Sequence, residues 1–191
     1  MRQNPERRTA LLDAAIEVLA REGSRGLTLR AVDAEAGVPL GTSSNYFRNR
    51  AQMLGQIMRR TRERLVPDAT QVTAMLKEPH TPELVTRFMW MVREHLHADR
   101  SSHLAMLELR LEGTRHPELR AELNQLLGDE LENNVAFHVD SGLPGDEATA
   151  LLMYFAMFGM AVDELTIPEA MGKLPLHELI ATMARRLTAT D

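Results

Sequence analysis

Apolar residues recur at helical spacing along most of the chain, and this periodicity is the feature that most restricts its fold. Near the start, a single helical stripe is formed by Leu11, Leu12, Ala15, Ile16 and Leu19. No segment shows the sustained alternation of apolar and polar residues that is typical of a β-strand. The sequence therefore predicts an all-α fold.

Glycine, proline and capping residues divide this pattern into nine predicted helices. The first ends at Gly23, the second is capped by Thr28 and ends at Gly37, and the third has Pro39 at its start. The later helix starts are predicted from capping residues: Asn49 for the fourth helix, Ser101 or Ser102 for the sixth and Asp146 for the eighth. The helices are predicted over residues 6–22, 29–36, 40–46, 50–65, 81–97, 101–112, 116–139, 147–165 and 176–189, with one or two further turns between 66 and 80. We predict two domains, residues 1–50 with the first three helices and residues 51–191 with the other six.

The amino-acid composition excludes several kinds of site. The chain has no cysteine, so disulfides, thiolate metal sites and cysteine nucleophiles cannot form. The first residues lead into an amphipathic stretch rather than an apolar signal peptide, and no apolar run approaches the roughly 20 residues that span a bilayer. We therefore expect a cytoplasmic protein with no membrane partner.

Charge is distributed unevenly between the two ends of the chain. Residues 1–64 contain twelve arginines and seven acidic residues, a net charge of +5, and the remainder carries −10 because the whole chain is −5. This asymmetry is typical of a protein that binds a polyanion through one end. Solvated faces of unequal composition are the alternative explanation.

The segment from Leu27 to Phe47 has the organisation of a helix-turn-helix. Two short predicted helices meet at a turn that contains Gly37. Small or hydrogen-bonding residues occupy the second helix: Gly41, Thr42, Ser43, Ser44 and Asn45. Such residues let backbone and side chains approach base edges in the major groove closely. The pattern indicates DNA binding, although a helical hairpin with a polar surface has the same residue types.

The same segment resembles the tetracycline-repressor (TetR) family of regulators. The similarity covers roughly residues 10–55 and lies in Thr28-Leu-Arg-Ala-Val32, Ala36-Gly-Val-Pro-Leu-Gly-Thr42 and Tyr46-Phe-Arg-Asn-Arg-Ala-Gln-Met-Leu54. The rest of the chain resembles the family only in helix number, length and loop placement. The resemblance implies a three-helix helix-turn-helix DNA-binding domain and a six-helix ligand-binding and dimerisation domain. It also implies a dimeric repressor that binds a palindromic operator and is released by a small-molecule effector.

The resemblance assigns roles to residues of the DNA-binding segment. Thr28, assisted by Arg30, would contact a phosphate, and Tyr46 would contact the DNA backbone. Arg50, where the family usually has lysine, would anchor another phosphate. Phe47 would pack against the first helix.

Other residues of the segment would face the groove: Leu40, Thr42, Ser43 and Asn45. Leu40 or Thr42 would touch a thymine methyl, and Asn45 would pair with adenine or hold a phosphate. The chain departs from the family pattern at two positions. Pro39 replaces the serine or threonine that usually caps the third helix, and Ser44 replaces a tyrosine that usually contacts a phosphate.

Candidate effector-binding residues combine adaptable apolar side chains with a few polar groups, as ligand pockets do. They are Met89, Trp90, Arg93, His97, Met106, Glu108, Phe137, Met153 and Met157. Trp90 is the strongest candidate because a lone tryptophan offers a large flat wall. Ordinary core packing is the alternative for each of them.

The predicted eighth helix is apolar around most of its circumference, so it must be buried on two sides. We expect one side to pack in its own domain and the other against a second subunit; a monomer with a buried helix is the alternative. The interface residues expected on the last two helices are Leu151, Tyr154, Phe155, Phe158, Val162, Leu179, Met183 and Leu187. In TetR-like proteins two such helices from each subunit form a four-helix interface.

Nothing in the sequence indicates catalysis, and we predict no cofactor, no metal and no enzymatic activity. No HExxH motif, phosphate-binding glycine loop or nucleophile elbow is present. A regulator without an effector, or an activator, is one alternative. A small helical enzyme or metal-binding protein that uses His95, His97, His103 and His116 is another.

Overall fold

A computed structural model describes residues 4–189 of the chain. Across that range it contains ten α-helices, one 3-10 turn and no β-strand, so the predicted all-α fold class is confirmed. The helices are α1 (Pro5–Gly26), α2 (Leu29–Glu35), α3 (Arg50–Arg64), α4 (Ala69–Met75), α5 (Pro82–Ala98), α6 (Arg100–Gly113), α7 (Pro117–Asp140), α8 (Glu147–Thr166), α9 (Pro168–Met171) and α10 (Leu176–Leu187). Of these, α4 and α9 are short helices in segments where we predicted turns or a loop.

Side-chain caps explain where several helices begin. The Thr28 hydroxyl accepts a hydrogen bond from the backbone of α2 at 3.1 Å, and the Asp146 carboxylate accepts one from α8 at 2.9 Å, as predicted. The start of α6 differs from the prediction. Asp99, rather than Ser101 or Ser102, caps this helix, because its carboxylate accepts bonds from both the amide and the hydroxyl of Ser102.

The predicted third helix is wrong in its extent. Instead of a helix over residues 40–46, the chain makes a tight turn followed by a single 3-10 turn at Ser43–Asn45. Gly41 has a φ of +90°, which a right-handed helix does not allow. Pro39 offers a physical reason, since its side chain has no oxygen to cap a helix as serine or threonine would.

The chain divides into two compact units. The first comprises Met1–Val66 and Asp99–Leu127. Within it, α1 packs against α2, α3 and α6, and α1 is broken at Gly23 (φ +68°), where the sequence predicted its end. The most deeply buried apolar residues of this unit are Leu11, Ala15, Ile16, Val18, Leu19, Leu27, Val32, Phe47, Ile57, Met58, Ala105 and Leu109. Phe47 therefore packs in the core, as predicted.

The second unit comprises Pro67–Ala98 and Gly128–Asp191. Here α10 packs against α5 and α8, and α5 also contacts α8. The core of this unit is formed by Met75, Leu84, Val85, Phe88, Met89, Leu143, Met153, Ile180 and Ala184. The domain boundary that we predicted at residue 50 is a division by function and stays a prediction. By packing, α3 and α6 belong with α1.

The expectation that no apolar run approaches a membrane-spanning length has an exception in α8. By length and composition, Glu147–Thr166 is able to cross a membrane, with a mean hydropathy of 1.4 and only 22% of the apolar stretch buried. One such helix is weak evidence for a membrane span, because a helix that packs in a protein core passes the same test. Large apolar side chains of α8, such as Phe155 and Leu152, remain exposed in the single chain.

Replacing Leu109 by alanine is expected to lower the free energy of unfolding by about 2–5 kcal/mol, because it leaves a cavity in the core of the first unit. Leu109 on α6 is fully buried. The matched control is Leu111→Ala, on the same helix but 54% exposed, which should change stability by less than about 0.5 kcal/mol. Urea denaturation measures both. Equal effects would contradict the packing of α6 described above.

Candidate nucleic-acid interface and ligand cavity

The segment between α2 and α3 presents most of the predicted DNA-contacting residues at the surface. Leu40 is 67% exposed, Ser44 and Asn45 are exposed, and Thr42 is partly buried. An exposed apolar tip beside hydrogen-bonding side chains provides the mixture of contacts that base edges require. The geometry of this segment is therefore suited to insertion into a groove.

Residues 39–42 form a type II turn. The Thr42 amide donates to the Pro39 carbonyl at 3.1 Å, and Gly41 occupies the position that needs a positive φ. The hydroxyls of Thr42 and Ser44 donate back to the carbonyls of Pro39 (2.5 Å) and Gly41 (2.6 Å). Two side chains predicted to meet DNA thus also hold the turn in shape.

A buried carboxylate on α2 supports this turn, and sequence reasoning missed it. Asp33 is 1% exposed. Its Oδ2 accepts a hydrogen bond from the Gly41 amide (2.7 Å), and its Oδ1 accepts bonds from the amide (2.7 Å) and hydroxyl (2.6 Å) of Ser43. Burial acts to raise the pKa of Asp33, but the hydrogen bonds from Ser43 and Gly41 outweigh it and hold the pKa below the ordinary aspartate value.

Ser43 is completely buried, and its hydroxyl donates to Asp33. To reach a base edge it would have to break that bond and leave the core. We therefore withdraw Ser43 from the residues expected to face DNA. Its position in the sequence, among exposed residues of similar polarity, gave no sign of this difference.

The residues predicted to contact the DNA backbone lie at or near the surface. Thr28 and Arg30 are exposed at the N-terminus of α2, where backbone amides favour an anion. The Thr28 oxygen accepts the capping bond, so its hydroxyl hydrogen remains able to donate to a phosphate. Tyr46 is partly buried and packs against the core of the first unit.

The structure gives Arg50 a role different from the predicted phosphate anchor. Its guanidinium donates to the Leu27 carbonyl (2.8 Å) and to both the carbonyl and the hydroxyl of Ser24, with the hydroxyl at 2.7 Å. It also lies 4.0 Å from the Glu112 carboxylate. Arg50 thus clamps the end of α1 and the start of the loop between α1 and α2 to α3. A planar guanidinium can bridge several oxygens at once, which lysine cannot do as well.

Two residues predicted to line an effector pocket lie in the first unit, on α6. Glu108 accepts a hydrogen bond from the Ser24 amide at 3.3 Å. Met106 is buried in the core formed with α1. Because both side chains are committed to this packing, we withdraw them from the pocket.

A cavity of about 510 Å³ opens in the second unit. Its walls combine α5, the end of α8 and the connection from α9 to α10. The residues that line it are Trp90, Arg93, His97, Glu164, Pro168, Met171, Gly172, Leu174, Pro175, Leu176, His177 and Glu178. The structure thus brings together three predicted pocket residues, Trp90, Arg93 and His97.

Two of the residues that line this cavity, Arg93 and Glu164, form an ion pair. Arg93 Nη2 lies 2.6 Å from one oxygen of Glu164, and Nε lies 2.9 and 3.1 Å from the two oxygens. The guanidinium carbon is 4.7 Å from the centroid of the Trp90 ring, which meets the His177 ring edge-on at 5.1 Å. The Glu164 side chain is only 5% exposed, so its charge requires a partner such as Arg93.

The remaining predicted pocket residues lie outside this cavity. Met89 and Met153 are buried in the core of the second unit, Met157 packs against that core, and Phe137 meets Phe88 edge-on at 5.8 Å. These positions match the alternative of ordinary packing. Sequence reasoning missed Glu164 and His177, because only the fold brings them to α5.

The face of α8 that is not packed in its own unit remains open in the single chain. Phe155 is 60% exposed and Leu152 is 54% exposed, and the Tyr154 and Phe158 rings stack at 6.4 Å. The other predicted interface residues differ in exposure: Leu179 is exposed, Leu151 and Val162 are partly buried, and Met183 and Leu187 pack partly against the core. Phe155 and its neighbours are the part of the prediction that the geometry favours most.

The four histidines of the alternative metal site do not come together. Within residues 4–189, no three histidine, aspartate or glutamate side chains form a group that could hold a metal ion. His116 instead lies 3.0 Å from Glu112 on α6, and His97 lies 3.5 Å from Glu164.

Arg50→Ala is expected to lower the free energy of unfolding by about 1–2 kcal/mol, because the oxygens of Ser24 and Leu27 lose their donor. Arg50→Lys should recover only part of this loss. The control is Arg48→Ala, at an exposed position two residues earlier. Thermal and urea unfolding measure the effect. If Arg50→Ala weakened DNA binding without any loss of stability, the phosphate-anchor prediction would hold instead of the clamp.

Two family models match this chain, one in its N-terminal part and one in its C-terminal part. Residues 11–57 match the family described as "Bacterial regulatory proteins, tetR family". Residues 79–190 match "Tetracyclin repressor-like, C-terminal domain". The HTH-type transcriptional regulator BetI of Rhizobium meliloti (strain 1021) is 27% identical over 175 residues, which cover 90% of this chain and 82% of BetI.

Solved structures agree with these matches. A TetR-family member from Streptomyces coelicolor A3 is 27% identical, with a TM-score of 0.71, and the alignment covers 97% of this chain and 100% of that one. The multidrug binding protein EbrR, solved with ethidium, is 28% identical, with a TM-score of 0.68 and coverage of 97% and 99%. Together with the helix-turn-helix segment after α1, these similarities show that the chain belongs to the TetR family of DNA-binding transcriptional regulators.

Proposed function

We propose that the protein is a cytoplasmic, effector-responsive repressor that binds a palindromic operator as a homodimer and acts by binding alone, without a cofactor. The observation that carries this proposal is the exposed turn at residues 39–45, which lies in the part of the chain with a net positive charge. Leu40, Thr42, Ser44 and Asn45 contact base edges. Phosphate contacts come from Thr28, Arg30 and Tyr46.

The dimer in this proposal forms through the uncovered face of α8. Large apolar side chains on this face, Phe155 above all, remain in water in the single chain. Burying such a surface against its own copy is favourable in proportion to the apolar area removed from water. A twofold axis then presents two copies of residues 39–45, the recognition segment, about one helical turn of DNA apart, roughly 34–36 Å.

Phe155→Asp is expected to convert the dimer into a monomer, because it puts a charge at the centre of this interface. The control is Val92→Asp, which places the same charge on an exposed apolar position of α5. Sedimentation analysis measures the oligomeric state. Gel shifts compare a duplex that the wild-type protein selects from a random pool with the half of that duplex.

We expect Phe155→Asp to weaken binding to the full duplex at least tenfold and to leave half-site binding within about twofold. Val92→Asp should behave as wild type. A Phe155→Asp protein that remained dimeric would contradict the assignment of α8. A wild-type protein that selected no duplex would contradict operator binding itself.

The effector site in this proposal is the cavity beside α5, and the ligand is a planar aromatic cation. Arg93 already occupies the place that such a cation would take, with its guanidinium carbon over the Trp90 ring and its charge paired with the buried Glu164. A ligand cation that displaces Arg93 would satisfy the same carboxylate and ring. EbrR, which was solved with ethidium, malachite green and proflavin, supports this chemical class.

The effector acts by binding more tightly to the state that cannot hold the operator. We propose that occupation of the cavity shifts α3, which follows the helix-turn-helix in the chain, and so alters the spacing of the two recognition segments. An activator would instead gain affinity for DNA on binding the effector. Measuring operator binding with and without the cation separates these two modes.

Titration with ethidium or proflavin is expected to quench the fluorescence of Trp90, the only tryptophan in the chain, because these cations would stack at its ring. Glu164→Gln should weaken binding at least tenfold by removing the carboxylate that faces the cation. The control Glu94→Gln, at an exposed position of α5, should stay within about twofold. Equal binding of 1-naphthoate, an aromatic anion, would contradict the proposed cation selectivity.

A further inference from the structure

Asp33 is a buried charge that the proposed DNA contacts do not use. It lies on α2 and is 1% exposed, yet it stays ionised because three hydrogen bonds converge on its two oxygens. Burying a carboxylate is costly, and a well-packed apolar residue at such a site is often as stable or more stable. General stability therefore does not by itself explain an aspartate at this position.

The partners of Asp33 all belong to the recognition segment. Oδ2 accepts from the Gly41 amide, and Oδ1 accepts from the amide and hydroxyl of Ser43, all at 2.6–2.7 Å. These two residues flank Thr42 and lie next to the exposed Leu40 and Ser44. The carboxylate thus ties both sides of the turn to α2, so it fixes the direction in which the exposed side chains point.

The recognition segment has little regular structure of its own. It consists of one type II turn and one 3-10 turn, and Thr42, the residue before the 3-10 turn, makes no side-chain capping bond to it. A recognition helix would be held by its internal ladder of backbone hydrogen bonds. Here the buried carboxylate supplies an anchor in place of that ladder.

We propose that Asp33 is the positioning residue for sequence-specific DNA recognition: it holds residues 39–45 in the one conformation that reads base edges, without touching DNA itself. This inference rests on the proposed role of that segment at the operator. Loss of the anchor lets the turn occupy several conformations, and only the fraction in the competent one binds the operator. Contacts with phosphate depend far less on the turn, so non-specific binding is retained.

The test compares three variants of the full chain: Asp33→Asn, Ser43→Ala and Val32→Ala. Asp33→Asn keeps the shape but turns one acceptor oxygen into a donor, which then opposes an N–H group of Gly41 or Ser43. Ser43→Ala removes only the hydroxyl and keeps both amide bonds to the carboxylate. Val32→Ala is the control, because it weakens the same helix in the buried core without changing the anchor.

The DNA probes are a duplex that the wild-type protein selects from a random pool and an unrelated duplex of equal length. Asp33→Asn is expected to lose at least tenfold in affinity for the selected duplex and less than about twofold for the unrelated one. Its slope of log affinity against log salt should match the wild type, since the phosphate contacts are unchanged. Ser43→Ala should lose less than about threefold, and Val32→Ala should lower the melting temperature without changing the ratio of the two affinities.

Two results would overturn the inference. One is an Asp33→Asn protein with the wild-type ratio of selected to unrelated affinity. The other is a Val32→Ala protein that loses the ratio as much as Asp33→Asn does, which would reduce Asp33 to a contributor to stability. Failure of the proposed function looks different, because the wild-type protein would then select no duplex at all.

Discussion

Burial of one face of α1 is the interaction on which the rest of the first unit depends. Residues such as Leu11, Ile16 and Leu19 lose all contact with water, and α2, α3 and α6 all pack against this helix. Burying this face stabilises the unit in proportion to the apolar area removed from water. The recognition segment is connected to this core by α2, which precedes it in the chain, and by α3, which follows it.

Polar contacts fix the conformation of the surface segments that surround this core. Thr28 caps α2, Asp33 ties the recognition turn to α2, and Arg50 clamps the loop between α1 and α2. Thr28 acts within its own helix, whereas Asp33 bonds to a residue eight positions along the chain and Arg50 to one 23 positions away. Each of these hydrogen bonds contributes only modestly to the free energy of folding. Together they restrict the backbone of these segments to one conformation, which apolar packing alone would not do.

The second unit uses buried charge in another way. Glu164 and Arg93 form an ion pair against Trp90 at the wall of a cavity rather than in a closed core. A pair of this kind adds little to stability compared with apolar packing. In the proposed effector site, a ligand would compete for either member of this pair. The same unit carries the open apolar face of α8, which is the proposed dimer interface.

The sequence by itself determined the helical fold, most helix boundaries and the place of the helix-turn-helix, because these follow from local periodicity and capping. Thr28, Asn49 and Asp146 cap the helices they were expected to cap. Only the tertiary structure decided that Ser43 faces the core, that Arg50 clamps a loop and that Glu164 meets Arg93. These outcomes depend on which residues, distant in the chain, pack together in the folded protein. The sequence names a serine, an arginine or a glutamate but does not show whether its side chain faces water or a buried partner.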